Sequence, residues 1–363
     1  MRKPAPETIS ISGYKSIRSL TDLRLSPGLN VLVGANGAGK SNFLRFFEML
    51  GHMMDPVRGL QRYVAARGRA DAFLFRGTKV TKELSARVAF GLNAYEFTLR
   101  PADDRSLFFE TEAAPFDGPK FGAVVNGQGT GHLESRLAAK DEPTKAEEFA
   151  RDTIRSWRVH HFHDTSATAG MMGLANIADN RHLHSDASNV AAFLLRLSEQ
   201  HPRHFRRIEE TVRQVAPFFG AFVLDEQPNG KTQLLWRDRH AETVYYPSQL
   251  SDGTARYICL AALLLQPDPP PSILIDEPEL GMHPVAIGLV ASLLNEAAER
   301  SQVIVSTQSV TLLDQFQPED LIVVDQRDGE SIIARPSVAK IEQWLEAYSL
   351  GQIWVRNHIG GLP

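Results

Sequence analysis

Ile9 and Ile11 alternate with Ser10 and Ser12, and the same period of two returns at Leu23 and Leu25 and at Leu29, Val31 and Val33. That spacing puts apolar side chains on one face of an extended chain and predicts three short strands. Past a glycine-rich stretch the period changes. Phe43, Leu44, Phe46, Phe47 and Leu50 fall on one side of a helix that opens at about Lys40. Alternation resumes from Ser85 to Glu112, through Val88 and Phe90, then Tyr95, Phe97 and Leu99, then Leu107 and Phe109, with a turn at Asp103 and Asp104. These strands predict an antiparallel side sheet. NGQGTG at 126–131 reads as a loop.

The next stretch is helical, with candidates over 147–157, 189–199 and 202–215. Strands follow at 221–224 and 233–236. Then strand and helix alternate: a helix over 252–266, a strand at 273–276, a helix over 284–300, and strands at 303–306 and 321–324. Pro267 to Pro271 stops the first of these helices. Apolar strands that do not alternate, interleaved with helices, predict an α/β fold with a parallel or mixed central sheet covered on both faces. The expected organisation is a first lobe at 1–135, a helical insert at 136–220 and a second lobe at 221–363, closing with a helix over 338–348 and a short GQIWVRN tail.

Composition narrows the class. The 363 residues can bury one large core or two lobes. The net charge of −4 means that any nucleic-acid surface must be a local patch. Cys259 is the single cysteine and lies in an apolar helical run, so no internal disulfide forms. MRKPAPE is not followed by an apolar stretch, so no signal peptide is expected. The longest apolar run is about eight residues against the roughly 20 that span a bilayer. A soluble, cytoplasmic chain with no membrane partner is the expectation.

The chemistry is carried by three short segments. Gly34, Gly39, Lys40 and Ser41 match G-x-x-x-x-G-K-[ST], with Ala35, Asn36, Gly37 and Ala38 between them and Asn42 after. Such glycines turn backbone N–H groups inward around phosphate oxygens. Lys40 adds a charge at the β- and γ-phosphates, the Ser41 hydroxyl suits Mg2+, and the helix N-terminus adds its dipole. Ile273, Leu274 and Ile275 run apolar into Asp276 and Glu277. This strand is expected to lie beside the phosphate-loop strand, with Asp276 toward the metal. Glu277, on the other face of the pleat, is positioned as a base for water. Ser251, Asp252 and Gly253 open an apolar helix, Ser251 as its cap. A capped, exposed helix start of this kind is an anion site, and the γ-phosphate held by a second subunit would fill it.

These segments, with ISISGYKSIRSL, ILIDEPELGMHP and VIVSTQS, make the chain resemble an ABC-type ATPase head of the SMC, RecF and OLD group, and in particular the small stand-alone AAA-family ATPases related to OLD. The resemblance implies a P-loop NTPase fold, ATP and Mg2+ as cofactors, and an ATP-dependent homodimer. It implies that Lys40 and Ser41 contact phosphate and metal, that Asp276 is the metal carboxylate and Glu277 the catalytic base. Ser251 and Gly253 act across the dimer, and Leu280 to His283 form its crossing loop. Tyr14, Lys15 and Ser16 fall where such heads place adenine-side contacts.

Gln308 stands where many relatives have a switch histidine; it can hydrogen-bond but carries no charge. No glutamine marks a Q-loop, and HFHDTS at 161–166, with His163 and Asp164, is the candidate replacement near the metal. His160, His161 and His163 also raise a transition-metal site as an alternative. Seven basic residues from Arg58 to Lys82, and Arg203, Arg206, Arg207 and Arg213 on one helix, are candidate DNA-facing or ATP-sensing surfaces. About fifty residues follow Ser309, too few for an appended nuclease, so an effector would be a separate chain. The biological expectation is DNA repair or anti-phage defence through DNA or such an effector. The alternatives are an ATP-state-dependent scaffold or sensor without DNA contact and, less in keeping with Gln308, a transporter ATPase subunit.

Overall fold

The computed structural model describes residues 5–56, 59–118 and 122–361. The opening alternation becomes β1 (Thr8–Tyr14) and β2 (Ile17–Arg24), and a fully buried run becomes β3 (Leu29–Val33). Helices α1 (Lys40–Met53) and α2 (Leu60–Ala66) follow. Then come β4 (Leu84–Phe90), β5 (Asn93–Pro101), β6 (Leu107–Ala113), β7 (Phe116–Gly118) and β8 (Gly122–Val124). The middle of the chain gives α3 (Lys145–Arg155), β9 (Val159–His160), β10 (Ala175–Asn176), α4 (Val190–Gln200) and α5 (Pro202–Val215). Short strands β11 (Phe219–Val223), β12 (Lys231–Thr232), β13 (Leu235–Asp238) and β14 (Val244–Tyr245) lead to α6 (Asp252–Leu264). The last part holds β15 (Ser272–Asp276), α7 (Pro284–Arg300), β16 (Gln302–Thr307), α8 (Val310–Leu313), β17 (Leu321–Arg327), β18 (Glu330–Ala334), α9 (Val338–Leu345) and α10 (Leu350–Val355).

A six-stranded sheet in the order β18-β17-β3-β16-β15-β9 is the centre of the molecule. Its strands run parallel except β18, which returns antiparallel at the edge. Every residue of β3, β15 and β16 is buried, because both faces of the sheet are covered. Val31, Val33, Ile273, Ile275, Val303 and Val305 enter one apolar core with α4 to α7. Leu32, Leu274, Ile304 and Ile322 point the other way, into a second core with α1 and the side sheet. That side sheet is antiparallel, in the order β2-β1-β4-β5-β7-β8 with β6 also on β5. Its burial alternates along β4 because only one face meets the core.

α1 fixes the loop before it. Phe43, Leu44, Phe46, Phe47 and Leu50 are fully buried, and burial of each such side chain stabilises by about 1.5–3 kcal/mol. α3 begins with a capping box in which the Thr144 hydroxyl accepts from Glu147 N and the Glu147 carboxylate accepts from Thr144 N.

One expectation is corrected. β15 does not lie beside β3: β16 is inserted between them and pairs with both. Lateral strand order is set by crossover packing, which order along the chain does not encode. The GQIWVRN stretch contributes to α10, capped by Ser349 with Gln352. The segment expected as a helical insert also supplies β9, so residues from all three sequence segments build one sheet.

Candidate functional site

β3 delivers the chain to Gly34 at the edge of β17. A Cβ there would lie 2.1 Å from the Val324 carbonyl oxygen, so only glycine lets the strand turn so close to its neighbour. Gly39 begins α1 at φ 115°, a left-handed conformation, and a Cβ on it would meet Ser331 Oγ at 2.1 Å. Lys40 is 5% exposed, and its Nζ donates to the Gly34 and Ala35 carbonyls at 2.6 and 3.0 Å. Burial lowers its pKa, while Glu277, Asp276 and Glu279 act to raise it. The ammonium therefore lies inside the loop with carboxylates near it.

Ser41 Oγ lies 3.4 Å from Asp276 Oδ1, the last residue of β15, and Ser306 Oγ from the end of β16 donates to the same oxygen. His161 Nδ1 is 3.5 Å from Asp276 Oδ2, and His163 Nε2 is 3.0 Å from the Asp276 carbonyl. Burial works against the Asp276 charge, but hydrogen bonds from His161, Ser306 and Ser41 hold its pKa down at about 2. A hydroxyl beside an ionised carboxylate is a hard-oxygen donor pair of the kind Mg2+ takes.

Glu277 leaves the strand in a left-handed conformation, φ 48°, so its side chain departs from the direction of Asp276 by backbone torsion as well as by pleat. Its carboxylate accepts a hydrogen bond from the Gln308 amide, which follows β16. Glu279, 8% exposed, accepts from Thr307 Oγ1 and from the Gln308 backbone N–H and so anchors Gln308. Burial raises its pKa. The insertion of β16 is what brings Gln308 to Glu277.

The HFHDTS segment reaches this centre through His163, one of the two residues expected, and through His161 in place of Asp164. His161 and His163 face Asp276, whereas Asp164 is spent on its own turn, accepting from Ser166 N at 3.0 Å. His160 points away and is 4% exposed. Among the described residues no trio of His, Cys, Asp and Glu side chains is grouped to hold an ion, so the three histidines do not converge.

Ser251 caps α6, its Oγ accepting from Thr254 N at 3.2 Å. Gly253 packs against the turn after β15, where a Cβ would lie 3.1 Å from the Gly281 carbonyl oxygen. No hydrogen bond or ion pair among the described residues joins Ser251 or Gly253 to residues 34–42. Arg256, one turn into α6, binds the Phe162, His163 and Leu280 carbonyls at 3.0, 2.8 and 3.0 Å. It ties the helix start, the histidine segment and the 280–283 loop together. Sequence reasoning passed over it, as it did Ser306 and Glu279. The available signal was a single arginine inside the otherwise apolar helix 254–265.

Tyr14 is corrected from a nucleotide contact to a core residue: it is fully buried, edge-on to Phe46 at 5.3 Å. Ser16 Oγ accepts from Asn42 Nδ2 at 2.8 Å. Lys15, its pKa lowered to about 8 by burial and by Arg45 and Arg67, lines a cavity of about 530 Å3 with Arg45, Glu48, Arg67, His161, His163 and Asp276. The described basic residues of the 58–82 stretch are exposed, and three of them are tied to nearby groups. Arg67 pairs with Glu48 at 2.9 Å, Arg69 binds the Asp104 carbonyl, and Arg76 binds the Asp328 carbonyl. Arg58 lies outside the described residues. On α5, Arg207 pairs with Glu296 and Arg213 binds the Gly220 carbonyl.

A two-faced parallel sheet carrying this loop and carboxylate pair, flanked by an antiparallel side sheet, defines an ABC-type ATPase head of the SMC and RecF kind. The chain belongs to the family described as "AAA domain, putative AbiEii toxin, Type IV TA system", which matches residues 29–314, and so to the nucleotide-binding ATPases. It is 45% identical over 67 residues to the DNA replication and repair protein RecF of Klebsiella pneumoniae subsp. pneumoniae, 18% of each chain. It is 33% identical over 137 residues to the chromosome partition protein Smc of Thermoplasma acidophilum, 38% of this chain and 10% of that one. The match thus spans less than a fifth of these relatives. In fold it is similar to an Smc head bound to the C-winged helix domain of ScpA, with TM-score 0.59 and 20% identity, covering 94% of this chain and 100% of that one. An Smc head of Pyrococcus furiosus bound to the C-terminal domain of ScpA superposes with TM-score 0.53 and 17% identity, over 95% and 99%. Among the described residues no helix is long and apolar enough to cross a membrane.

Proposed function

We propose that this chain is a Mg2+-dependent ATP hydrolase whose copies close head-to-head around ATP, and that it serves DNA repair or anti-phage defence through DNA or a separately encoded effector. The observation that carries the reading is the convergence of Lys40, Ser41, Asp276, Glu277 and Gln308 from three neighbouring strand ends. Lys40 exchanges its loop carbonyls for β- and γ-phosphate oxygens, and the N–H groups of Gly37, Gly39 and the first turn of α1 orient the phosphates. Ser41 and Asp276 would hold Mg2+, which would supply neutralisation of phosphate charge. Glu277 orients the attacking water and takes its proton, with Gln308 hydrogen-bonding the γ-phosphate or the water once it turns from Glu277. Ser251 and Gly253 present the start of α6 to the partner's γ-phosphate. The names of the RecF and Smc relatives support the DNA link, and the family description supports the defence link.

Mixing tests the composite site. Lys40→Ala and Ser251→Arg are each expected to be inactive. An equal mixture regains up to roughly a quarter of native turnover, because one site of each mixed dimer has both halves intact. A mixture that stays inactive while the native chain turns over ATP rules out the shared site. Turnover stimulated by DNA and falling steeply with salt supports the DNA arm. Unchanged turnover with DNA, and ATP-dependent retention of a protein partner that survives DNase, supports the scaffold alternative.

A further inference from the structure

The outward side of the phosphate loop is bonded, residue by residue, to parts of the chain almost 300 positions away. Ala35 N–H donates to the Gly361 carbonyl at 2.7 Å. The Gly37 carbonyl accepts from Gln326 Nε2 at 3.2 Å, and the Ala38 carbonyl accepts from Ser331 Oγ. We propose that β17, β18 and the Gly360–Gly361 tail form a brace that sets the conformation of the phosphate loop, making Gln326, Ser331 and Gly361 positioning residues for nucleotide binding. This rests on the reading that the loop takes ATP.

The physical case is an accounting of backbone polar groups. A loop that turns its amides inward must turn other polar groups out, and each of those needs a partner. Here the outward groups of Ala35, Gly37 and Ala38 are all satisfied by the brace. By contrast, the N–H groups of Gly37 and Gly39 have no acceptor among the described residues. The loop is thus held open from behind, with its free donors facing the place where phosphate is expected.

Two further features show that the fit is close. Gly361 has φ 81°, and a Cβ on it would lie 3.1 Å from Val323 Cγ1 and 3.4 Å from Gly34 Cα, so bare backbone meets bare backbone. Ser331 is 1% exposed, and its Oγ is 2.7 Å from Ser16 Oγ. A serine hydroxyl has one proton. When Ser331 donates it to Ala38, Ser16 donates to Ser331 and accepts from Asn42, giving a relay from the first turn of α1 back to the loop. The brace therefore grips the loop at both ends, before Asn36 and after Ala38.

The experiment is ATP titration by calorimetry, with steady-state turnover, on the full chain and on Ser331→Ala, Gly361→Val, Gln326→Ala and Lys40→Ala. A loop that loses one anchoring bond is expected to bind ATP about fivefold more weakly, with kcat at saturation near native; Gln326→Ala also keeps a near-native nucleotide-free melting temperature, whereas Ser331→Ala and Gly361→Val lower it. A purely structural role would lower the melting temperature and leave affinity alone. Gln326 is exposed, so its variant reads the same contact without disturbing the core. If the native chain binds ATP, Lys40→Ala loses it, and the Gln326, Ser331 and Gly361 variants all match native affinity, the brace is overturned and the loop reading survives. If the native chain fails to bind ATP, both fall.

Discussion

The side-chain amide of Gln308 donates to the carboxylate of Glu277 across the ends of β16 and β15. One carboxylate oxygen of the proposed base is therefore engaged, and the switch residue is held where it can follow the base. Glu277→Gln keeps the size and the hydrogen-bonding partner but cannot take a proton. Turnover is expected to fall at least about 100-fold, with ATP affinity within about threefold of native. Sedimentation velocity should show dimers that persist with ATP. Identical boundaries with and without nucleotide would end the head-to-head reading.

Lys40 rests on two loop carbonyls with carboxylates nearby. Lys40→Ala removes the charge proposed to meet the β- and γ-phosphates. ATP affinity should drop by about 10- to 100-fold, the range of a lost charge-assisted hydrogen bond. Calorimetry measures it, and an unchanged far-ultraviolet spectrum shows that the fold stands.

Acid sensitivity is expected from His160. Burial, and then Arg158, push its pKa from the usual 6.5 to about 3. The folded state thus keeps the ring neutral while the unfolded chain protonates it. The contribution to stability is complete above pH 6.5 and is lost progressively as pH falls toward 3. By pH 5 the loss is about 2 kcal/mol. Thermal melts between pH 7.5 and 5 should show the decline, and His160→Asn should flatten it; a variant with the native slope refutes the assignment. Asp276 acts in a lower window. Its pKa, about 2 against 3.8, stabilises the fold above pH 3.8 and ceases to do so as pH passes down through 2.

Arg256→Lys retains the charge but not the planar fork that reaches three carbonyls. The expected cost is about 1–3 kcal/mol, read as a lower denaturant midpoint. Cleavage by a protease within 161–168 or 280–283 should also become faster, because those loops lose their common anchor. A native cleavage pattern would contradict that role.

Much of the site was legible because it is local. The phosphate loop, the DE pair and the serine cap are contiguous segments, and α5 and α7 begin at Pro202 and Pro284 where a proline at the first helical position belongs. What could not be read is what depends on distant pairing. β9 is two residues long and gains its partner only from β15. The place of β16 between β3 and β15 comes from crossovers, and with it came the approach of Gln308 to Glu277. The burial of Tyr14, expected as an adenine-side contact, is created by Phe46 and Phe73 from later elements and so is not visible locally. Asp164 carries a carboxylate of the kind a metal takes. Its own turn consumed it, and the neighbouring imidazole took the contact.

The grip of Arg256 on Phe162, His163 and Leu280 is entirely on main-chain oxygens. A clasp of that sort is indifferent to which side chains its partners carry. Exposed Leu280 can therefore be exchanged without loosening the clasp, whereas Phe162 is fixed by its place in the core, and one guanidinium keeps the spacing between the histidine segment and the 280–283 loop.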